Sequence, residues 1–208
     1  RHQGMIGGAD GRKMSKRWGN VVNPDDVVKT YGADTLRVFE MFLGPFEGSL
    51  PWSTEGIIGS RRFVERVWRL GEHVFSEDHK KTNNALTTVL HKTIKKVTED
   101  IQSFNFNTAV SSMMILLNEI EAERAVTSED FKKFLQILAP FAPHMTEELW
   151  HLMGEKGSIH LSEWPKYDES KILDEKVTIA IQINGKVRDE IEIEQGVEED
   201  EIKKIALL

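Results

Sequence analysis

The stretch LTTVLHKTIKKVTEDI, residues 86–101, decides the fold class. Leu86, Val89, Leu90, Ile94, Val97 and Ile101 recur at steps of three and four, which lines one face of a helix with apolar side chains. The same spacing continues downstream in Val110, Met113, Met114, Leu117 and Ile120, and again in Phe131, Phe134, Leu135 and Leu138. Upstream, Ile57, Ile58, Val64, Val67, Trp68 and Leu70 alternate with Arg61, Arg62, Glu65, Arg66 and Arg69, with Thr54 placed to cap a helix over 55–75. Thr127 and Asp130 form a capping pair before the fourth stripe. Pro140 and Pro143 end that stripe, and Pro143 suits the first turn of a fifth helix through Trp150 and Leu152. Five amphipathic helices in about a hundred residues predict an antiparallel bundle whose stripes are its core.

The flanks differ. Residues 1–20 hold glycines 4, 7, 8, 11 and 19 among basic residues and read as a mobile loop. Asn23-Pro24-Asp25-Asp26 starts a short helix that Gly32 closes, and Ala33–Leu43 reads as another that Gly44-Pro45 breaks. After Pro165 the chain turns polar. Val177, Ile179, Ile181 and Ile183 then alternate, Asn184-Gly185 gives a hairpin turn, and Val187, Ile191 and Ile193 continue a second strand that Asp189 interrupts. Glu198–Leu208 starts as a helix. The expected organisation is a loop and helical segment over 1–50, the bundle over 51–165, a linker over 166–176 and a truncated small α+β domain over 177–208. The fold class is mainly α.

With 208 residues, 39% hydrophobic and 29% charged, the composition is that of an ordinary folded protein without a membrane span. Cysteine is absent, which excludes disulfides, thiolate zinc sites and thiol nucleophiles. The seven histidines show no metal-ligand spacing, so no metal site is expected. His144 and His151, seven apart, share at most a helix face. The net charge of −7 argues against a generic nucleic-acid binder. It is uneven, however: residues 1–100 carry 16 basic against 13 acidic side chains, and 101–208 carry 11 against 21. A polyanion should meet the first half.

Charge alone would make Lys13-Met14-Ser15-Lys16-Arg17 a solvated basic loop. Its context reads otherwise. With Gly19-Asn20-Val21-Val22-Asn23-Pro24 behind it, the loop resembles the K-M-S-K-S loop of class I aminoacyl-tRNA synthetases. Tyr31-Gly32-Ala33-Asp34-Thr35-Leu36-Arg37 resembles the helix that follows that loop in the leucyl, isoleucyl and valyl enzymes. Met41-Phe42-Leu43-Gly44-Pro45-Phe46, Trp52-Ser53 and Gln182-Ile183-Asn184-Gly185-Lys186-Val187-Arg188 resemble the bacterial leucyl enzymes in particular. Ala139–Trp150 is similar to the helical domain of the wider group. These blocks fall in family order over nearly the whole chain.

The resemblance implies a C-terminal piece of a cytoplasmic leucine–tRNA ligase, which joins leucine to ATP and esterifies it to its tRNA. The implied partners are ATP with Mg2+, leucine and tRNA, with no DNA and no membrane. Lys13 and Lys16 take the catalytic role of holding phosphates, and Met14 and Ser15 complete the ATP-binding loop. Arg17 stands where the pattern has serine, and Gly7 where an apolar residue is expected. The implied tRNA contacts are Arg61, Arg62, Arg66 and Arg69 on one helix, Lys92, Lys95 and Lys96 on another, and Lys186 and Arg188 at the hairpin. The family's nucleotide-binding half, with its H-I-G-H motif, and its editing domain do not lie in these residues. The 208 residues alone are therefore expected to be inactive, with nothing bound. The competing readings are a free-standing RNA-binding helical module, for which the lysine loop has no use, and an isoleucyl or valyl enzyme.

Overall fold

The computed structural model describes residues 1–76, 82–123, 126–172, 176–183 and 186–194. Two compact units divide between Tyr167 and Asp168. Among the described residues, the first unit holds seven α-helices, and the fold is mainly α.

The first unit begins with a two-residue strand, β1 (Ile6–Gly7), pairing in parallel with β2 (Leu50–Pro51). Residues 1–20, expected to be a loop, include this strand and a 3-10 turn over Lys16–Trp18. A Cβ at Gly7 would meet the Arg12 carbonyl oxygen at 2.9 Å, so the apolar residue expected there would block the fold-back of residues 8–12. Helix α1 (Pro24–Tyr31) starts with Asn23 accepting from the Asp25 N–H. Gly32, at φ 90°, ends α1 and begins α2 (Ala33–Phe42). Val27, Leu36, Phe39 and Ile57 form a small core there, with Trp52 edge-on to Phe39 at 4.9 Å.

The bundle consists of α3 (Thr54–Ser76), α4 (Asn84–Ser103), α5 (Phe106–Glu123), α6 (Ser128–Leu138) and α7 (Pro143–Leu152). The predicted stripes are its core: Val67, Leu90, Ile94, Val97, Val110, Met113, Leu117, Phe131, Phe134 and Leu135 are all buried. One cap differs from expectation. Ser53, not Thr54, accepts the Gly56 N–H at 3.0 Å, so α3 starts one residue earlier. Thr127 caps α6 as expected, accepting from the Asp130 N–H at 3.2 Å.

Helix α7 has no side-chain cap of its own, because Ala142 occupies the cap position. Asp34 on α2 supplies it. This buried carboxylate accepts from the His144 N–H at 3.3 Å and the Met145 N–H at 2.6 Å, and lies 2.7 Å from His144 Nδ1. These are donors that a helix start leaves open. Arg37, one turn further along α2, donates to the Pro140 carbonyl at 2.8 Å. Phe46 packs tilted against Phe104 and edge-on to Phe106, at 5.3 and 5.7 Å between centroids. The loop-bearing segment and the bundle are thus one packed body.

The second unit contains an antiparallel hairpin, β3 (Lys176–Ile183) with β4 (Lys186–Glu194). Its register shifts between Ile181, paired with Asp189, and Gln182, paired with Val187. Arg188 is the extra residue of this bulge, and the alternation in the sequence breaks beside it. A short 3-10 turn, Glu169–Lys171, falls in the stretch expected to link the two domains. The expected turn residues Asn184-Gly185 and the expected helix from Glu198 lie outside the described residues.

Candidate functional site

The basic loop is built on one asparagine. Asn20 Oδ1 accepts the Ser15 N–H at 2.9 Å, while its Nδ2 donates to the Lys13 carbonyl at 3.4 Å and to Asp10 Oδ1 at 3.1 Å. Asp10 also accepts the Arg12 N–H. These bonds to the charged form, the Asn20 bond first, hold its carboxyl below the ordinary aspartate value. One side chain therefore ties the start and the middle of the Lys13–Arg17 segment to the preceding turn at Asp10. No spacing rule in the sequence points to it.

Within the brace, Ser15 Oγ accepts the Arg17 N–H and caps a 3-10 turn over Lys16–Trp18. Gly19 closes this turn at φ 64°, in the left-handed region. Lys13, Lys16 and Arg17 are exposed, while Met14 and Ser15 are half-buried. Lys13 and Met14 line a cleft of about 610 Å³ with Glu40, Met41, Phe46 and Phe106. Burial raises the Glu40 carboxyl above its ordinary value, against the pull of Arg37, even though the residue as a whole is exposed. Trp18 is 55% exposed, with the Arg12 and Arg17 guanidinium carbons 5.4 and 5.3 Å from its ring centroid.

The arrangement suits a polyphosphate: separate exposed cations stand on a turn whose backbone is already fixed. A metal is another matter. Among the described residues, no group of three or more His, Cys, Asp or Glu side chains could hold a metal ion, so these residues offer Mg2+ no protein site of that kind.

The basic residues of the bundle divide by partner. Arg61 bonds Glu65 at 2.6 Å and the Tyr31 carbonyl at 2.8 Å. Arg66 bonds Glu121 and Asn118, joining α3 to α5. Lys96 pairs with the buried Asp100 at 2.5 Å, and Thr108 donates to the same carboxylate at 2.7 Å. Lys95 lies over the Tyr167 ring at 5.5 Å, and Lys92 is half-buried on α4. Arg62 and Arg69 are exposed on α3, seven residues apart, and form no ion pair among the described residues. Arg188 is exposed at its bulge, whereas the Lys186 side chain lies outside the described part. His144 and His151 serve structure, through Asp34 and Glu147 respectively.

A helical bundle of this order defines a class. The model of the "Anticodon-binding domain of tRNA ligase" matches residues 83–204, and the chain belongs to that family. Residues 2–52, which carry the basic loop, match the model of "tRNA synthetases class I (I, L, M and V)". Among individual proteins, the chain is 50% identical to the leucine–tRNA ligase of Leptospira biflexa over 210 residues, covering 99% of this chain and 24% of that protein. It is 49% identical to the leucine–tRNA ligase of Alkaliphilus oremlandii, covering 97% of this chain and 25% of that one. Among solved structures it is similar, with a TM-score of 0.85 and 30% identity, to the Agrobacterium radiobacter K84 agnB2 LeuRS in its ternary complex with tRNA and LeuAMS. That match covers 99% of this chain and 29% of the other. The chain thus spans about a quarter of the length of these relatives. They are leucine ligases, in keeping with the leucyl rather than the isoleucyl or valyl reading.

Proposed function

We propose that these residues supply the ATP-phosphate loop and the tRNA-supporting helical domain of a leucine–tRNA ligase. The observation that carries the reading is the braced, exposed pair Lys13 and Lys16, within a chain half-identical to leucine ligases over nearly its whole length.

In this reading the leucine carboxylate attacks the α-phosphate of ATP. A carboxyl-oxygen-to-phosphorus bond forms, the bond from the α-phosphorus to the bridging oxygen breaks, and pyrophosphate leaves with the bonding pair. Lys16, at the head of the turn, holds the departing phosphates, and Lys13, on the cleft wall, adds the supporting charge. A fixed cation needs little rearrangement as charge develops on the leaving group. Ser15 already accepts the Arg17 N–H, so its hydroxyl hydrogen is what it offers a phosphate oxygen. Met14 receives the Val22 N–H on its sulfur at 3.5 Å and anchors the loop beneath. In the second step a terminal ribose hydroxyl of tRNA attacks the leucyl carbonyl carbon, and AMP leaves.

On the bundle, Arg62 and Arg69 are the phosphate contacts this reading favours. Two helical turns separate them by roughly 10 Å, and neither is engaged by a carboxylate among the described residues. Arg61, Arg66 and Lys96 hold the fold. Arg188, at a bulge that re-aims a strand residue, is the hairpin's contact. As a tRNA ligase the protein would work in the cytoplasm. Among the described residues, no helix is long and apolar enough to cross a membrane.

The test is to set the chain into the Leptospira biflexa ligase in place of the segment it matches. Leucine-dependent pyrophosphate exchange and leucylation of tRNA should both return. A stable chimera that binds ATP and leucine but does neither would refute the reading.

A further inference from the structure

We infer that Trp18 is a stacking platform for an unpaired base of an RNA strand end, the acceptor end of tRNA in the reading proposed above, on which this inference rests. Most of the large apolar side chains of the first unit lie in its core, yet this indole is 55% exposed. The backbone beneath it is nonetheless held in place. The Trp18 N–H donates to the Ser15 carbonyl at 3.0 Å, Gly19 fixes the chain behind it, and Asn20 ties the turn down. The guanidinium groups of Arg12 and Arg17 lie over the ring, Lys16 stands in the same turn and Lys13 lies just before it. The acid within the braced turn, Asp10, is engaged by Asn20 and the Arg12 backbone.

An exposed aromatic ring among cations fits a single nucleic-acid strand: a base stacks on the ring in place of a guanidinium, and the cations take the flanking phosphates. Exposed cations around the ring also suit a polyanionic ligand better than an apolar peptide. Trp18 is not part of the wall of the cleft that Lys13 and Met14 line, and an adenine of ATP on the ring is the rival outcome that the test below reads.

The test uses the chimera with the Leptospira biflexa ligase, carrying Trp18→Ala or Trp18→Phe, with thermal melting to confirm folding. Trp18→Ala should raise KM for tRNA in leucylation by about 5- to 150-fold, the range that removal of one base stack covers. Trp18→Phe should recover most of that loss, and KM for ATP in pyrophosphate exchange should move less than about twofold. Indole fluorescence of the unmutated chimera should be quenched by a short single-stranded RNA ending in adenosine, and that quenching should diminish in Trp18→Ala. An unchanged KM for tRNA would overturn the inference. So would a rise in KM for ATP equal to that for tRNA, which would place adenine on the ring. A parallel Lys16→Ala chimera separates the two readings. If it loses exchange while Trp18→Ala changes nothing, only the platform fails; if it keeps exchange, the phosphate loop itself fails.

Discussion

Asp34 and Met145, 111 residues apart, are joined by a 2.6 Å hydrogen bond from the Met145 N–H to the Asp34 carboxylate. Together with the His144 N–H and ring, this bond makes one acid on α2 the N-cap of α7. The segment that carries the lysine loop is thereby bonded to the bundle at a helix start, where an anion is favoured.

Removing that acid leaves two helix-start donors without their acceptor in a buried place. Asp34→Ala should destabilise the first unit by about 2–3 kcal/mol, with Asp34→Asn costing roughly half as much because one acceptor oxygen survives. Urea unfolding with an unchanged slope checks this. A loss below a few tenths of a kcal/mol would mean that the cap is only an incidental contact.

Gly71 lies in the C-terminal part of α3, where a Cβ would come within 2.6 Å of Leu149 Cδ2 and 3.5 Å of Phe131 Cε1. On an exposed helix, Gly→Ala would stabilise by about 1 kcal/mol. Here crowding against α6 and α7 should reverse the sign, and Gly71→Ala should cost about 1–3 kcal/mol. A raised melting temperature in this variant would show that these helices pack more loosely than the Gly71 geometry requires.

Asp130 gives the fold an acid limit. Burial acts to raise its carboxyl, but bonds from Lys133, Thr82 and Thr127 outweigh that, and the net value lies below the ordinary 3.8. A depressed folded value contributes stability that is fully present above the unfolded value, near 3.8, and is lost as pH falls through the lower folded one. Stability from this group should be level from neutral pH to about 5 and should fall below about 4. Asp130→Asn should be less stable at neutral pH and show a shallower acid fall. Equal slopes in the two proteins would remove Asp130 from the account.

The cations of α3 should separate by experiment. Removing a single phosphate contact lowers the salt slope of tRNA binding by about 0.7–0.9. Arg62→Ala and Arg69→Ala in the chimera should each do so, with little change in stability. Arg66→Ala should leave the slope nearly unchanged and cost about 0.5–1 kcal/mol of stability, since its partners are Glu121 and Asn118. The reverse pattern would place the RNA elsewhere.

Periodicity reaches only as far as one element. The stripes in residues 86–101, 110–120 and 131–138 name their buried faces, because a helix that covers a core repeats every three or four residues. The pairs Arg61–Glu65 and Lys96–Asp100 are also within reach of a rule, being four apart. Asp34 is not, because an acid near the start of α2 already has a local meaning, as a charge suited to that helix's own dipole. Its partner lies more than a hundred residues on. Asn20 escapes for a related reason: its bonds close a loop rather than repeat along a face. The basic loop is legible only through its likeness to a known motif, and Gly7 departs from that motif for a reason that lies in the backbone folding over it.

The central claim is that Lys16 holds the phosphates of ATP, and its most direct measurement is leucine-dependent pyrophosphate exchange by the chimera carrying Lys16→Ala or Lys16→Arg. Taking away one preorganised positive charge from the developing pyrophosphate should lower kcat by about 100- to 1000-fold in Lys16→Ala. Lys16→Arg should recover part of the loss, and the melting temperature should be unchanged, because Lys16 is exposed. A Lys16→Ala chimera that exchanges pyrophosphate within about threefold of the unmutated one would contradict the account.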